Sequence, residues 1–103
     1  MKIAFAGAGG RGEVYADSVE RLDSTVELVA VGEPDEVKRV LFSERHHIPS
    51  SMCFSSAEEL LAQPKLADIL VIATPDRQHA AQAIAAMEKG YDLLLEKPIA
   101  ENL

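Results

Sequence analysis

A doubly wound α/β fold on a parallel sheet is what this sequence predicts, and three observations predict it. Short apolar runs rich in Val, Ile, Leu and Ala alternate with stretches of helical period. The first run opens directly into Gly7, Gly9 and Gly12, which have the spacing G-x-G-x-x-G. The polar and conformationally special residues follow the runs instead of interrupting them, as expected where ligands gather outside the carboxyl ends of parallel strands.

The elements can be justified in order. Lys2 to Ala6 is nearly all apolar, which suits a central strand covered on both faces. Arg11 to Leu22 reads as a helix with Tyr15, Val19 and Leu22 on one stripe. Val26 to Val31 is the second strand, and Glu33-Pro34-Asp35 ends it and starts a helix carrying Val37, Val40 and Leu41 at helical spacing. Ile48-Pro49 stops that helix, and Met52-Cys53-Phe54 is a short third strand. Ser56-Ala57-Glu58-Glu59 has the S-x-x-E form of a capping box, so a brief helix through Leu60 and Leu61 follows and stops before Pro64. Ala67 to Ala73 holds the fourth strand, with Ile69-Leu70-Val71-Ile72 as its apolar centre. It runs through Thr74-Pro75-Asp76 into a helix with Ala80, Ala83, Ile84 and Met87 on one stripe and Gly90 as its stop. Tyr91 to Leu95 is the fifth strand. Alternation of this kind implies βαβ units with right-handed crossovers.

Length and composition bound the function. The 103 residues suit one domain, 1–103, and are few for an enzyme that handles two substrates, so a further part of the protein is expected. With 17 acidic against 10 basic residues and a formal charge of −7, a general nucleic-acid or anionic-membrane surface is not expected. Any phosphate must then be held by local geometry. Cys53 has no cysteine to pair with and no metal-ligand pattern around it, which suits a reducing cytoplasm. No run approaches 18 apolar residues, and Met1-Lys2 leads straight into the first strand, so neither a membrane span nor a signal peptide is expected.

The glycine loop carries the first chemistry. Gly7 permits a tight turn off the strand, Gly9 lets backbone approach a pyrophosphate, and Gly12 lets the helix sit close to the sheet. Unpaired N–H groups at the helix start, with the positive end of its dipole, then form an anion site to which Arg11 adds charge. The candidate phosphate loop is thus Gly7, Gly9, Gly10, Arg11 and Gly12; the plain alternative is a glycine-rich turn with no ligand. Glu33 lies about 20 residues beyond Gly12, where a dinucleotide-binding loop expects a carboxylate to accept from ribose hydroxyls and repel a 2′-phosphate. That favours NAD over NADP, although Lys38 and Arg39 lie close by and leave NADP possible. Equally, an acid at that position can merely favour a helix start.

Lys97 follows an apolar strand and precedes Pro98, at the rim of the same crevice. It can serve as a fixed cation for a cofactor ribose or substrate hydroxyl, share a proton relay, or simply pair with Glu96 at the surface. His79 lies in the first turn of the helix after the fourth strand and can approach a cofactor or satisfy backbone groups locally. His46 and His47 end a helix and read as scaffold. No Ser-His-Asp or Cys-His arrangement is supported.

Taken together, Gly7-Ala8-Gly9-Gly10-Arg11-Gly12, Glu33-Pro34, Ala73-Thr74-Pro75-Asp76-Arg77-Gln78-His79 and Glu96-Lys97-Pro98-Ile99-Ala100 resemble the amino-terminal domain of the glucose-fructose oxidoreductase, inositol dehydrogenase and rhizopine-catabolism (Gfo/Idh/MocA) family. The resemblance spans the whole chain. It implies a Rossmann domain that binds NAD or NADP and takes part in hydride transfer between nicotinamide and a hydroxyl-bearing carbon of a sugar, cyclitol or related polyol. By it, Thr74 and Pro75 line the nicotinamide side, and Glu96, Lys97 and Pro98 form the floor, often with a cis Lys97-Pro98 bond. Lys97 then contacts cofactor and substrate hydroxyl. Similar proteins run on into a second α/β domain that supplies most of the substrate pocket, an acid/base residue and a homo-oligomer interface; this chain is expected to be a fold truncated before that domain, and inactive alone. A regulatory nucleotide-sensing module is the alternative: it would keep the glycines and Glu33 but have no need of Thr74-Pro75 or Lys97. An interaction domain with no ligand would leave the glycine loop unexplained.

Overall fold

The computed structural model describes residues 1–8, 16, 25–73 and 76–95, with the side chains of 76–79 and 95 excepted. Strands β1 (Lys2–Ala6), β2 (Glu27–Gly32), β3 (Cys53–Phe54), β4 (Ile69–Ile72) and β5 (Asp92–Leu95) form one sheet in the order β3-β2-β1-β4-β5. Every pairing is parallel. Helices α1 (Glu36–Arg45), α2 (Ala57–Leu61) and α3 (Asp76–Glu88) connect them, with a 3-10 turn at Ser50–Met52 before β3. The direction of strand succession reverses between β1 and β4, so the crevice at the carboxyl ends of these two strands is the place where such sheets take ligands. Among the described residues no helix is long and apolar enough to cross a membrane.

β1 is central because its apolar run has two faces to bury. Ala4 and Ala6 join Ala30, Leu70 and Ile72 on one side of the sheet, against Ala57, Leu60 and Leu61 of α2 and Ala86 of α3. Ile3 and Phe5 join Leu28, Val31 and Val71 on the other side, against Phe42 of α1, Ala16 and Ile48. The period of two along the strand thus sorts small side chains to one face and the aromatic to the other.

Local sequence rules set the helix ends. Asp35 caps α1 by accepting from Lys38 N–H (3.1 Å), and Ser56 Oγ caps α2 by accepting from Glu59 N–H (3.0 Å). The Glu59 carboxylate reaches back one residue further than the usual capping box, to the Ser55 N–H and hydroxyl. α3 closes at Gly90, with Gly90 N–H donating to Met87 O (3.0 Å) and Tyr91 N–H to Ala86 O (3.1 Å). α1 closes by the same pattern without glycine: His47 adopts φ 58°, and Ile48 N–H donates to Ser43 O (2.8 Å).

Two expectations are corrected. The apolar stripe of α1 read from helical spacing, Val37, Val40 and Leu41, is exposed, and the buried face is Phe42 with His46. Phe42 fills the core against Phe5, and Arg39 on the same side donates to the main chain of Glu33, so the opposite face of the helix lies outward. In α3 the predicted stripe also fails, since Ile84 is 55% and Met87 57% exposed and Ala80 lies in solvent, with only Ala83 partly covered. Ala86 and Gln82 are buried instead, because close approach of helix and sheet needs small side chains, and the Gln82 amide is satisfied by Glu58 Oε2 at 3.2 Å. The stripe expected at Tyr15, Val19 and Leu22 lies outside the described residues; Ala16 between them is helical and fully buried.

Candidate functional site

The carboxyl ends of the strands form one aligned row. Phe54 stands beside Gly32, Gly32 beside Ala6, Ala6 beside Ile72 and Ile72 beside Leu95. One bond beyond three of the four ladders fastens the chain where it leaves the sheet: Gly7 N–H donates to Gly32 O (2.8 Å), Glu33 N–H to Phe54 O (3.0 Å) and Ala73 N–H to Ala6 O (2.8 Å). The segments singled out for their chemistry therefore depart from a single edge.

At the end of β1 the chain turns at Gly7, whose φ of 101° lies in the region that side chains disfavour. Ala8, next along, is buried in the Phe42 core, which fixes the start of the loop from behind. At the end of β2, Gly32 is required for space: a Cβ there would stand 2.5 Å from Ser56 O and 3.1 Å from Ala57 Cα. The missing side chain lets the start of α2 press against the strand just before the acid.

Glu33 is the centre of the described site. It is 9% exposed, and each oxygen of its carboxylate accepts from a backbone donor. Ala8 N–H donates to Oε1 at 2.8 Å and Asp35 N–H to Oε2 at 2.9 Å. A carboxylate buried this far needs such partners, and these two come from the glycine loop and from the turn into α1. Each oxygen accepts one of these bonds and keeps capacity for another, so the pair can still take a bidentate diol. Arg39 Nη1 meanwhile donates to the Glu33 carbonyl at 2.7 Å. Asp35 and Glu36, both exposed, add negative charge at the same corner.

The structure thus brings together two of the residues expected to bind a cofactor, Gly7 and Glu33, across a separation of 25 residues between Ala8 and Glu33. His79 lies in the first turn of α3 as expected, its side chain outside the described set. Gly9, Gly10, Arg11, Gly12, Thr74, Pro75, Glu96, Lys97 and Pro98, with the expected cis bond, lie outside the described residues. Gly32 and the Arg39 contact were not read from the sequence. A strand ending in Gly-Glu was the available signal for Gly32, whereas nothing in a spacing of six identifies the partner of Arg39.

Comparison with known proteins bears on the family and the fold. Residues 1–103 match the Gfo/Idh/MocA sequence family, described as an oxidoreductase family with an NAD-binding Rossmann fold. Inositol 2-dehydrogenase 4 of Saccharopolyspora erythraea is 33% identical over 100 residues, covering 96% of this chain and 28% of that protein. The WlbA dehydrogenase of Bordetella pertussis, solved with NADH and UDP-GlcNAcA, superposes with a TM-score of 0.83 at 26% identity over 96% of this chain and 28% of that one. Biliverdin reductase of Synechocystis, solved with biliverdin and NADP+, superposes with a TM-score of 0.78 at 26% identity over 95% of this chain and 29% of that one. The chain spans under a third of the length of the curated relatives it matches.

Proposed function

The chain belongs to the Gfo/Idh/MocA family of oxidoreductases, and from that premise we propose that residues 1–103 are the NAD(P)-binding domain of a dehydrogenase acting on a hydroxyl-bearing carbon of a sugar, cyclitol or related polyol. The observation that carries this reading is the 2.8 Å bond between the Glu33 carboxylate and the N–H of Ala8, which joins the ribose-reading acid to the glycine loop. The described residues fit a dinucleotide. Gly7 turns the chain so that the loop begins at the strand end, and the carboxylate is held at that edge with acceptor capacity to spare.

In this reading Gly7, Gly9, Gly10, Arg11 and Gly12 hold the diphosphate through backbone N–H groups, and Glu33 accepts from the adenosine ribose. Thr74, Pro75 and His79 follow β4 toward the nicotinamide, and Glu96, Lys97 and Pro98 follow β5 beneath it. Lys97 holds the substrate hydroxyl and the cofactor in one orientation and is the catalytic residue within this chain. When bound, the nicotinamide ring supplies the acceptor or donor for hydride. NAD is preferred over NADP because Glu33, with Asp35 and Glu36 close by in sequence, presents negative charge where a 2′-phosphate would sit. The protein is cytoplasmic, and its other partners are a small polyol or sugar and further copies of itself.

Titration of NADH fluorescence against the purified protein and a Gly9→Val variant tests the reading. A Cβ and two methyls at the closest backbone approach should weaken binding by about tenfold or more. Equal signals from both proteins would overturn it.

A further inference from the structure

A cation six residues beyond a ribose-reading acid has two opposite uses. It can reach a 2′-phosphate and admit NADP, or it can be consumed by the fold. In this structure Arg39 is half-buried, and its Nη1 lies 2.7 Å from the main-chain carbonyl of Glu33. That bond completes a set. The Glu33 N–H is held by β3 through Phe54 O, its carboxylate by the loop after β1 and by the turn into α1, and its carbonyl by α1 itself through Arg39. Glu33 precedes Pro34, which already biases its backbone toward extended conformations, and the guanidinium fixes the peptide plane that remains. Swinging the carboxylate away from the crevice by a backbone rotation would break a short charge-assisted bond.

We propose that Arg39 is a positioning residue for cofactor selection: by gripping the Glu33 carbonyl it holds the carboxylate where ribose hydroxyls are accepted and a 2′-phosphate is refused, and it is thereby withheld from any phosphate. The inference rests on the dinucleotide reading of Glu33 given above. The contact lies on the side of α1 that also carries the buried Phe42, opposite the exposed Val37, Val40 and Leu41.

The experiment is a titration of the purified protein with NADH and, separately, NADPH, for the wild type, Arg39→Ala, Arg39→Lys, Glu33→Ala and the double alanine variant, with thermal melts to confirm folding. Arg39→Ala should weaken NADH by about tenfold, the scale of one charge-assisted hydrogen bond, and leave NADPH no weaker, so the preference narrows. Arg39→Lys should recover part of the NADH affinity through a single donor on a flexible stem. In the Glu33→Ala background the arginine change should add nothing, because its effect passes through the carboxylate. A selective loss of NADPH binding in Arg39→Ala would show that the guanidinium reads the phosphate and would overturn the proposal. Unchanged NADH affinity, or equal losses for both nucleotides, would reduce Arg39 to a purely structural contact and overturn it as well. A wild type that binds neither nucleotide would remove the dinucleotide reading itself, and the proposal with it.

Discussion

The two faces of the sheet are packed by different means. On the α1 side one aromatic sets the spacing: Phe42 meets Phe5 at 5.3 Å between ring centroids and His46 at 4.6 Å, all within a core of Val, Ile and Leu. On the α2 and α3 side small side chains set the approach: Ala4, Ala6, Ala30, Ala57 and Ala86 let helices and strands come close, with Leu60, Leu70 and Ile72 between them and Tyr91 buried beyond the end of α3. The first arrangement depends on volume, and the second on its absence. The difference teaches where each face is vulnerable. The α1 face fails when a side chain is removed, and the opposite face fails when one is added.

Three variants sharpen or break that contrast. Phe42→Ala should be the most damaging, at about 3–5 kcal/mol, because the ring is fully buried and nothing beside it can fill the space. Urea unfolding checks this, and a loss below about 1 kcal/mol would show that the α1 face is not held by its aromatic. Gly32→Ala should cost about 1–3 kcal/mol through overpacking, since the new methyl meets Ser56 O at 2.5 Å and the backbone at the start of α2 has to move. The same variant should also loosen the corner at Glu33, so NADH titration beside the melt should fall in step with stability. The smallest effect is expected from Ile84→Gln with Met87→Gln on the outer face of α3, which should stay within about 0.5 kcal/mol although both residues are apolar. A large loss there would mean that the outer face of α3 is packed after all.

The contrast also explains which parts of the fold could be read from the chain. β1 was legible to the residue, because the unbroken apolar run that follows Lys2 suits a strand covered on both faces. The cap at Ser56 and the stop at Gly90 were legible because they are satisfied within a few residues of chain. Helix rotation was not. In α3 the apolar stripe through Ile84 and Met87 looked like a buried face, but alanines occur around the helix, and the tight packing chose Ala86 and a bonded Gln82 over the larger apolar residues. In α1 the Arg39 contact and a single phenylalanine outweighed three aliphatic residues.

The candidate site divides in the same way. Spacing pointed to Glu33 and the glycine loop as parts of one site; the direct 2.8 Å bond from Ala8 N–H to the carboxylate was not read from it. The burial of that carboxylate, its second donor at Asp35, the arginine on its carbonyl and the methyl-free gap at Gly32 were not expected.

By itself, then, the order of residues determined the strands, the helix stops, the parallel winding and the turn that leads from β1 toward an acid, since each depends on the intrinsic preferences of a few neighbouring residues. Only the tertiary structure decided which way the helices face and what holds Glu33 in place. Those outcomes depend on contacts between segments far apart in the chain, where one close approach or one short hydrogen bond outweighs the hydrophobic period of a whole helix.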